Sequence, residues 1–238
     1  MNKKIAISLV WIVALLPYLE NVALGQRMAH TTQHGFEDIN RWVAVFEDPK
    51  RGEWQKPDDV VTMLNIRPGD AIADIGAGTG YFTRRFAVAV GPEGKALGLD
   101  IEPSMVKYMK EDAQKRGLKN YEARLVKADE PGLAPQSVDI IFICDTYHHI
   151  EDRVVYLNNL KKSLKPNGRV VVVDFYKKEL PVGPPPAMKL SEETVKDEFL
   201  KAGYRLTRHL SFLPYQYFLE FEPALSPISK GWMENYSG

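Results

Sequence analysis

The sequence predicts a doubly wound α/β domain, and three observations carry that expectation. Runs such as "AIADIG" (71–76), "VDIIFICD" (138–145) and "RVVVVDF" (169–175) are apolar almost throughout, as strands covered on both faces of a parallel sheet must be. Segments with helical spacing alternate with them, the rhythm of repeated strand–helix crossovers. Three glycines fall within five positions in "GAGTG" (76–80), directly after the first of these strands. There the missing side chains let a backbone approach something closely, and a helix start offers free N–H groups.

Taken in order, "FEDINRWVAVF" (36–46) has helical spacing, "EDPKRGEWQKP" (47–57) reads as a polar loop carrying Trp54, and Asp58 reads as the N-cap of a helix in "DVVTMLNI". Strands and helices then take turns: "AIADIG", a helix from about Tyr81 to Val90, "KALGLD", and a helix from about Ser104 to Arg116 stopped by Gly117. "YEARLVKAD" (121–129), "VDIIFICD", a helix from about Asp152 to Leu164 stopped by "KPNG", and "RVVVVDF" continue the alternation. A Pro-rich loop, "KKELPVGPPPAMKL", precedes a helix opened by Ser191 and closed by Gly203. The last two strands, in "RLTRHLSFLP" and "YQYFLEFE", are joined by a short turn, which predicts an antiparallel pair at the sheet edge.

The chain has 238 residues, 45% of them hydrophobic, which is enough for the core of one principal α/β domain. Thirty-one basic residues balance thirty-one acidic ones, so no net field draws the protein to nucleic acid or to an anionic surface. The single cysteine, Cys144, excludes an internal disulfide framework and a Cys-rich zinc site. The first 25 residues stand apart. Lys3 and Lys4 precede "IAISLVWIVALL", and "ALG" at 23–25 gives a small-x-small pattern before Gln26, the layout of a secretory signal peptide whose cleavage leaves no membrane span. An uncleaved membrane anchor and an internal start at Met28 are the competing readings. Residues 26–57 are expected to form an N-terminal cap, 58–223 the domain proper, and 224–238 a loose tail.

The glycines point to a nucleotide-like cofactor. The dinucleotide frame G-x-G-x-x-G would need glycine where Tyr81 stands; the spacing here is G-x-G-x-G, at Gly76, Gly78 and Gly80. Asp100 closes the second strand twenty residues after Gly80, where a carboxylate accepts ribose hydroxyls. Asp129, read as the end of the third strand, is placed to meet an adenine amino group. A strand-terminal Asp is also an ordinary turn residue. Three ligand-facing features at the carboxyl ends of three successive strands nevertheless lie where open α/β sheets bind ligands.

With these residues placed, the chain resembles class I S-adenosylmethionine-dependent methyltransferases, most closely the small-molecule group that includes the ubiquinone and menaquinone methyltransferases. The resemblance runs from about Phe36 to Glu222 and rests on "ADIGAGTGYFTRRFA", "GLDIEPSMV", "KAD", "VDIIFICDTYHHI" and "LKKSLKPNGRVVVVDF". It implies a Rossmann-like sheet of order 3-2-1-4-5-7-6 with an antiparallel edge strand, and S-adenosylmethionine as cofactor. It also implies that Asp74 and the three glycines hold the methionine end and Asp100 the ribose, with Ile101 beside it in the cofactor-binding set. Ala128 and Asp129 would meet the adenine, and the stretch from Cys144 through Asp145 to Tyr147 would floor the sulfonium. An enzyme of the same fold with other chemistry, and a cofactor-binding protein without turnover, remain alternatives.

The candidate catalytic residues lie in "DTYHHI". His148 and His149 follow the fourth strand, and an imidazole titrates where a base is useful at neutral pH; the competing reading is that they brace the loop and the next helix. No third His or Cys has ligand spacing, so no metal is expected. "DTYH" replaces the Asn/Asp-Pro-Pro-Tyr signature of many amino-group methyltransferases, and one cysteine is too few for the arsenite type. That leaves a small-molecule or lipid-like acceptor, with Trp42, Phe46, Trp54, "PVGPPPAM", Tyr215 and Tyr217 as candidate pocket walls.

Overall fold

The computed structural model describes residues 39–224; the expected leader and the expected C-terminal tail from residue 225 onward lie outside them. Three helices come first: α1 (Ile39–Phe46), α2 (Arg51–Gln55) and α3 (Pro57–Met63). The alternating body follows as β1 (Ala71–Ile75), α4 (Thr83–Ala89), β2 (Lys95–Asp100), α5 (Pro103–Arg116), β3 (Tyr121–Leu125), β4 (Val138–Cys144), α6 (Arg153–Ser163) and β5 (Leu164–Phe175). Helix α7 (Glu192–Lys201) and strands β6 (Tyr204–Leu210) and β7 (Gln216–Pro223) complete it.

The seven strands form one sheet of order β3-β2-β1-β4-β5-β7-β6. Strands β1 to β5 pair in parallel, whereas β7 runs antiparallel to both β5 and β6. Alternation along the strands feeds two cores. Ile140, Phe142, Val171 and Phe218 face a layer with Val60, Phe82, Phe86 and Met109. Ile141, Ile143, Val172 and Leu219 face a layer with Leu157, Leu160, Val195 and Phe199. Both faces of the central strands are thus withdrawn from water, at about 1.5–3 kcal/mol for each large apolar side chain.

Helix ends follow local chemistry. Gly117 takes the left-handed conformation that closes α5, and Ser191 Oγ accepts the Thr194 N–H to open α7. Three local expectations are corrected. Residues 51–55 are helical rather than loop, because the short α2 is held by docking and not by its own propensity. Asp58 is not an N-cap: Pro57, which lacks the N–H that would need capping, occupies the first turn after a left-handed Lys56. "KPNG" does not separate α6 from a strand; the chain enters β5 at Leu164, and the pairing with β4 jumps from Val138–Leu164 to Ile140–Arg169 across a bulge.

Candidate active site

The loop after β1 lies at the carboxyl edge of the sheet. The N–H groups of Gly76 and Ala77 both donate to Leu99 O, at 2.8 and 3.1 Å, which fixes the turn against β2. A side chain at Gly76 would overlap Thr146, and one at Gly78 would meet the Phe46 ring at 3.3 Å. At Gly80 it would overlap the buried Tyr121 hydroxyl. Gly80 therefore has a packing reason of its own, since it lets α4 start flush against the core. Phe46 ends α1, and this helix roofs the loop. Glu47 follows it, accepting from Thr79 Oγ1 and pairing with Arg84.

Asp100 closes β2, nearly buried, with Oδ2 accepting the Gly78 N–H at 2.7 Å and Oδ1 the Glu102 N–H at 2.9 Å. Each oxygen keeps a lone pair for a further donor. Ile101 beside it is 49% exposed, an apolar face next to a polar anchor. Strand β3 stops at Leu125, four residues earlier than the reading that put Asp129 at its end. The Val126 N–H caps Asp100 O at 3.0 Å, and the chain then turns, leaving Ala128 and Asp129 exposed in that turn.

Asp74 is buried under the loop and accepts from Thr83 Oγ1 at 2.6 Å. Burial pushes its pKa up to about 7 against that bond and the Arg51 charge. Asp145 follows β4 in the left-handed region, φ 53°, and takes N–H groups from Gln55 and Gln216. Burial, and then the neighbouring Asp174 charge, push its pKa up as well. Cys144 is buried, its Sγ 3.1 Å from Gln55 Nε2, and burial raises its pKa well above the usual thiol value. Tyr147 corrects the expected floor. Its ring is buried against Phe199 in the opposite core layer, with the hydroxyl on Glu198 at 2.9 Å.

The two histidines differ sharply. His148 Nδ1 stands 2.9 and 3.0 Å from the two carboxylate oxygens of Asp174, and both side chains are almost wholly buried. Burial alone would lower the His148 pKa; the bond to Asp174 and that charge outweigh it and raise it. His149 lies outside, its ring centroid 4.1 Å from that of His148, and desolvation followed by the His148 charge hold its pKa down to about 4. Asp174 was not among the sequence candidates. Its signal was a lone carboxylate closing the apolar strand "VVVVD" at the level of Asp145. Trp54 packs on the adjoining Phe175 at 5.6 Å between ring centroids, and the Pro-rich loop reaches the same ring through Gly183 and Lys189. Tyr217 is fully buried in the core rather than lining a pocket. Among the described residues no group of three His, Cys, Asp or Glu could hold a metal ion, and no helix is long and apolar enough to cross a membrane.

Such an edge suits a ligand with an adenosine at one end and positive charge at the other. Carboxylates whose burial disfavours their charged form gain most from a cation, and Asp100 with Ile101 offers a hydroxyl acceptor beside an apolar ledge. These features place the chain among α/β enzymes that work on a nucleotide-type cofactor. It belongs to the methyltransferase domain family, whose model matches residues 66–216. A ubiquinone/menaquinone biosynthesis C-methyltransferase of Teredinibacter turnerae is 30% identical over 169 residues, 62% of this chain and 67% of that protein. A demethylmenaquinone methyltransferase of Geobacillus stearothermophilus is 29% identical over 143 residues, 58% and 60% respectively. For another quinone relative, of Ectopseudomonas mendocina, the match covers 46% of its length. The crystal structure of an S-adenosylmethionine-dependent methyltransferase from Aquifex aeolicus aligns at TM-score 0.73 and 29% identity, over 77% of this chain and 97% of that one. A [4+2]-cyclase at TM-score 0.61 and 15% identity shares the fold alone. The protein is an S-adenosylmethionine-dependent methyltransferase.

Two expectations follow from this geometry. Asp100→Ala is expected to weaken S-adenosylmethionine binding by about 1–3 kcal/mol, as a charged acceptor is lost to its hydroxyl partners; calorimetry on the folded variant measures it, and an unchanged affinity would remove the ribose assignment. The second concerns pH. The folded protein holds protons on Asp74 and Asp145 more tightly than the unfolded chain does, so their contribution to stability is full below about pH 4 and is lost as pH rises through about 6 for Asp145 and about 7 for Asp74. His149 has the opposite sign, but its window lies between its ordinary value and about 4. The ligand-free protein should therefore melt a few degrees lower at pH 8 than at pH 6. Asp74→Asn should flatten that slope in a calorimetric series.

Proposed function

We propose that this methyltransferase acts on a small, largely apolar ring compound through an acidic hydroxyl or ring carbon, with His148 as the base. The observation that carries the reading is the bond of His148 Nδ1 to both oxygens of buried Asp174. It fixes the tautomer, turns Nε2 into the basic nitrogen, and stabilises the imidazolium that forms when a proton is taken. The bound S-adenosylmethionine supplies an activated methyl group and leaves as a neutral thioether, so no acid is needed on the leaving side. Trp54, Phe175 and the Pro-rich loop offer the acceptor a rigid apolar wall, and excluding water there keeps the proton transfer between acceptor and imidazole. The quinone-methylating relatives support the class of acceptor.

A short-chain demethylmenaquinone and a simple phenol are suitable probes. Single-turnover rates against pH, with the donor saturating, should rise as His148 loses its proton. Because Asp174 raises that pKa, the rise falls on the alkaline side of an ordinary histidine, and Asp174→Asn should move it to lower pH. A parental rate and profile in His148→Gln would remove the base and leave catalysis by alignment alone.

The reading of residues 1–25 as a cleaved export signal belongs with this proposal. Mature protein should begin at or near Gln26, and an N-terminus at Met28 in a cytosolic fraction would overturn export. Since the donor is made in the cytosol, export also requires a supply of donor beyond the membrane.

A further inference from the structure

The Pro-rich loop buries a cation that takes no part in the chemistry of His148. Lys189 follows a single helical turn, Pro186–Met188, and its backbone N–H donates to Pro186 O at 3.2 Å. The residue is only 2% exposed. An ammonium carries three donors and no acceptor, yet among the described residues Nζ makes one hydrogen bond, to Lys178 O at 2.8 Å, and no carboxylate pairs with it. The charges that reach it are those of Glu179, which is exposed, and Asp174, whose oxygens are engaged by His148 and, at Oδ1, by the Phe175 N–H at 2.8 Å. Burial lowers the Lys189 pKa against the pull of both. A buried cation without a counter-charge is costly, so one kept there calls for an anion that the chain does not itself supply.

Its place says which anion. Nζ stands 5.7 Å from the centroid of the Phe175 ring, and Trp54 packs on the same ring at 5.6 Å. Gly183 lies flat on that ring too: at φ +84°, an added Cβ would come within 2.7 Å of it. Phe175 directly follows Asp174, the partner of His148. One aromatic wall thus carries an ammonium, and the residue before it anchors the base. We infer that Lys189 binds the ring oxygen of the acceptor in its ionised form, so that the enzyme takes a phenol-type acceptor as the phenolate. This inference rests on the reading of the acceptor as an acidic ring compound. When His148 Nε2 takes the hydroxyl proton, the electron pair stays on that oxygen and spreads into the ring. From there it forms the new bond to the methyl carbon, the pair of the breaking C–S bond passing to sulfur. Until then the ammonium holds the charge in a water-poor site, where a fixed cation counts for more than in solvent.

The test uses 4-nitrophenol, which changes colour on ionising, and needs no turnover. The probe is titrated into the full chain with S-adenosylhomocysteine present, over a pH series that spans its ionisation. The parent should bind the ionised form at least about 10-fold more tightly than the neutral one. K189M should lose about 10-fold or more of that preference while holding the neutral form to within about 3-fold, and K189R should keep it. A parent that binds both forms alike overturns the inference, and so does a K189M that keeps the preference. Equal losses for both forms in K189M would make Lys189 a tether of the loop, which also overturns it. If K189M does not fold, K189Q and the parent's own preference decide by the same criteria. A preference lost in H148Q and kept in K189M would give the anion to the imidazole and overturn the inference. Failure of the parent to bind the probe in either form is a distinct result, because it removes the ring acceptor on which the inference rests and the inference with it.

Discussion

Replacing His148 by Ala is expected to slow methyl transfer by about 10²- to 10⁴-fold at neutral pH while leaving donor affinity nearly unchanged. The asymmetry follows from position. His148 is anchored to Asp174 at the end of β5, whereas the donor's expected partners stand on β1, β2 and the loop residue Asp145. The size of the loss reports on the acceptor. A phenol or an acidic ring carbon must shed a proton for transfer, so the loss should be large; an amine that is already neutral needs no base, and the loss should shrink. Asp174→Asn separates two contributions. It removes the charge that raises the His148 pKa, so the rising limb of the rate profile moves to lower pH. It also removes stabilisation of the imidazolium, so the plateau falls. A fall without a shift would mean that Asp174 only holds the loop. His149→Ala, made at an exposed ring with its pKa near 4, should change the rate by less than a few-fold.

Gly80→Ala is expected to be the most damaging small substitution in the glycine loop. Gly80 has φ +74°, and its added methyl would overlap the Tyr121 hydroxyl and crowd Met109 Cγ at 3.1 Å. The left-handed conformation alone costs a non-glycine residue about 1–2 kcal/mol. Displacing a buried tyrosine adds about 1–3 kcal/mol of overpacking. The sum, about 2–5 kcal/mol, is a large share of the stability of a domain this size. A chemical-denaturation series on Gly80→Ala and Gly80→Val should show it, and Tyr121→Phe should recover part of the loss by clearing the hydroxyl. Gly78→Ala meets only the Phe46 ring at 3.3 Å, so it should cost less stability and act mainly on donor binding.

The sheet was legible because its central strands are buried on both faces, which the apolar runs "VDIIFIC" and "VVVV" reflect between flanking turn residues. Asp100 was legible for a similar reason, as a carboxylate at a fixed distance from a glycine loop. What escaped is held by contacts remote in sequence. "RGEWQ" has no helical signature, and α2 exists because Gln55 and Arg51 dock on Asp145, about ninety residues away. Asp174 looked like the polar end of an apolar strand; its role depends on His148 arriving beside it from another loop. Tyr147, grouped with its neighbours by sequence, turns away because a large ring finds Phe199 behind the sheet.

Strand β7 has a consequence for the order in which the enzyme comes into being. Because it enters antiparallel between β5 and β6, its first residue, not its last, reaches the working edge, and Gln216 meets Gln55 across 161 positions of chain. Asp145 sits between them, bonded to both. Closing so long a loop is entropically slow, and contacts of this separation form late in folding. During synthesis the glycine loop and β1 to β5 emerge well before residue 216, yet the polar cluster around Asp145 cannot assemble until that residue has left the ribosome. Completion of the sheet and of the polar cluster around Asp145 therefore both wait for β7.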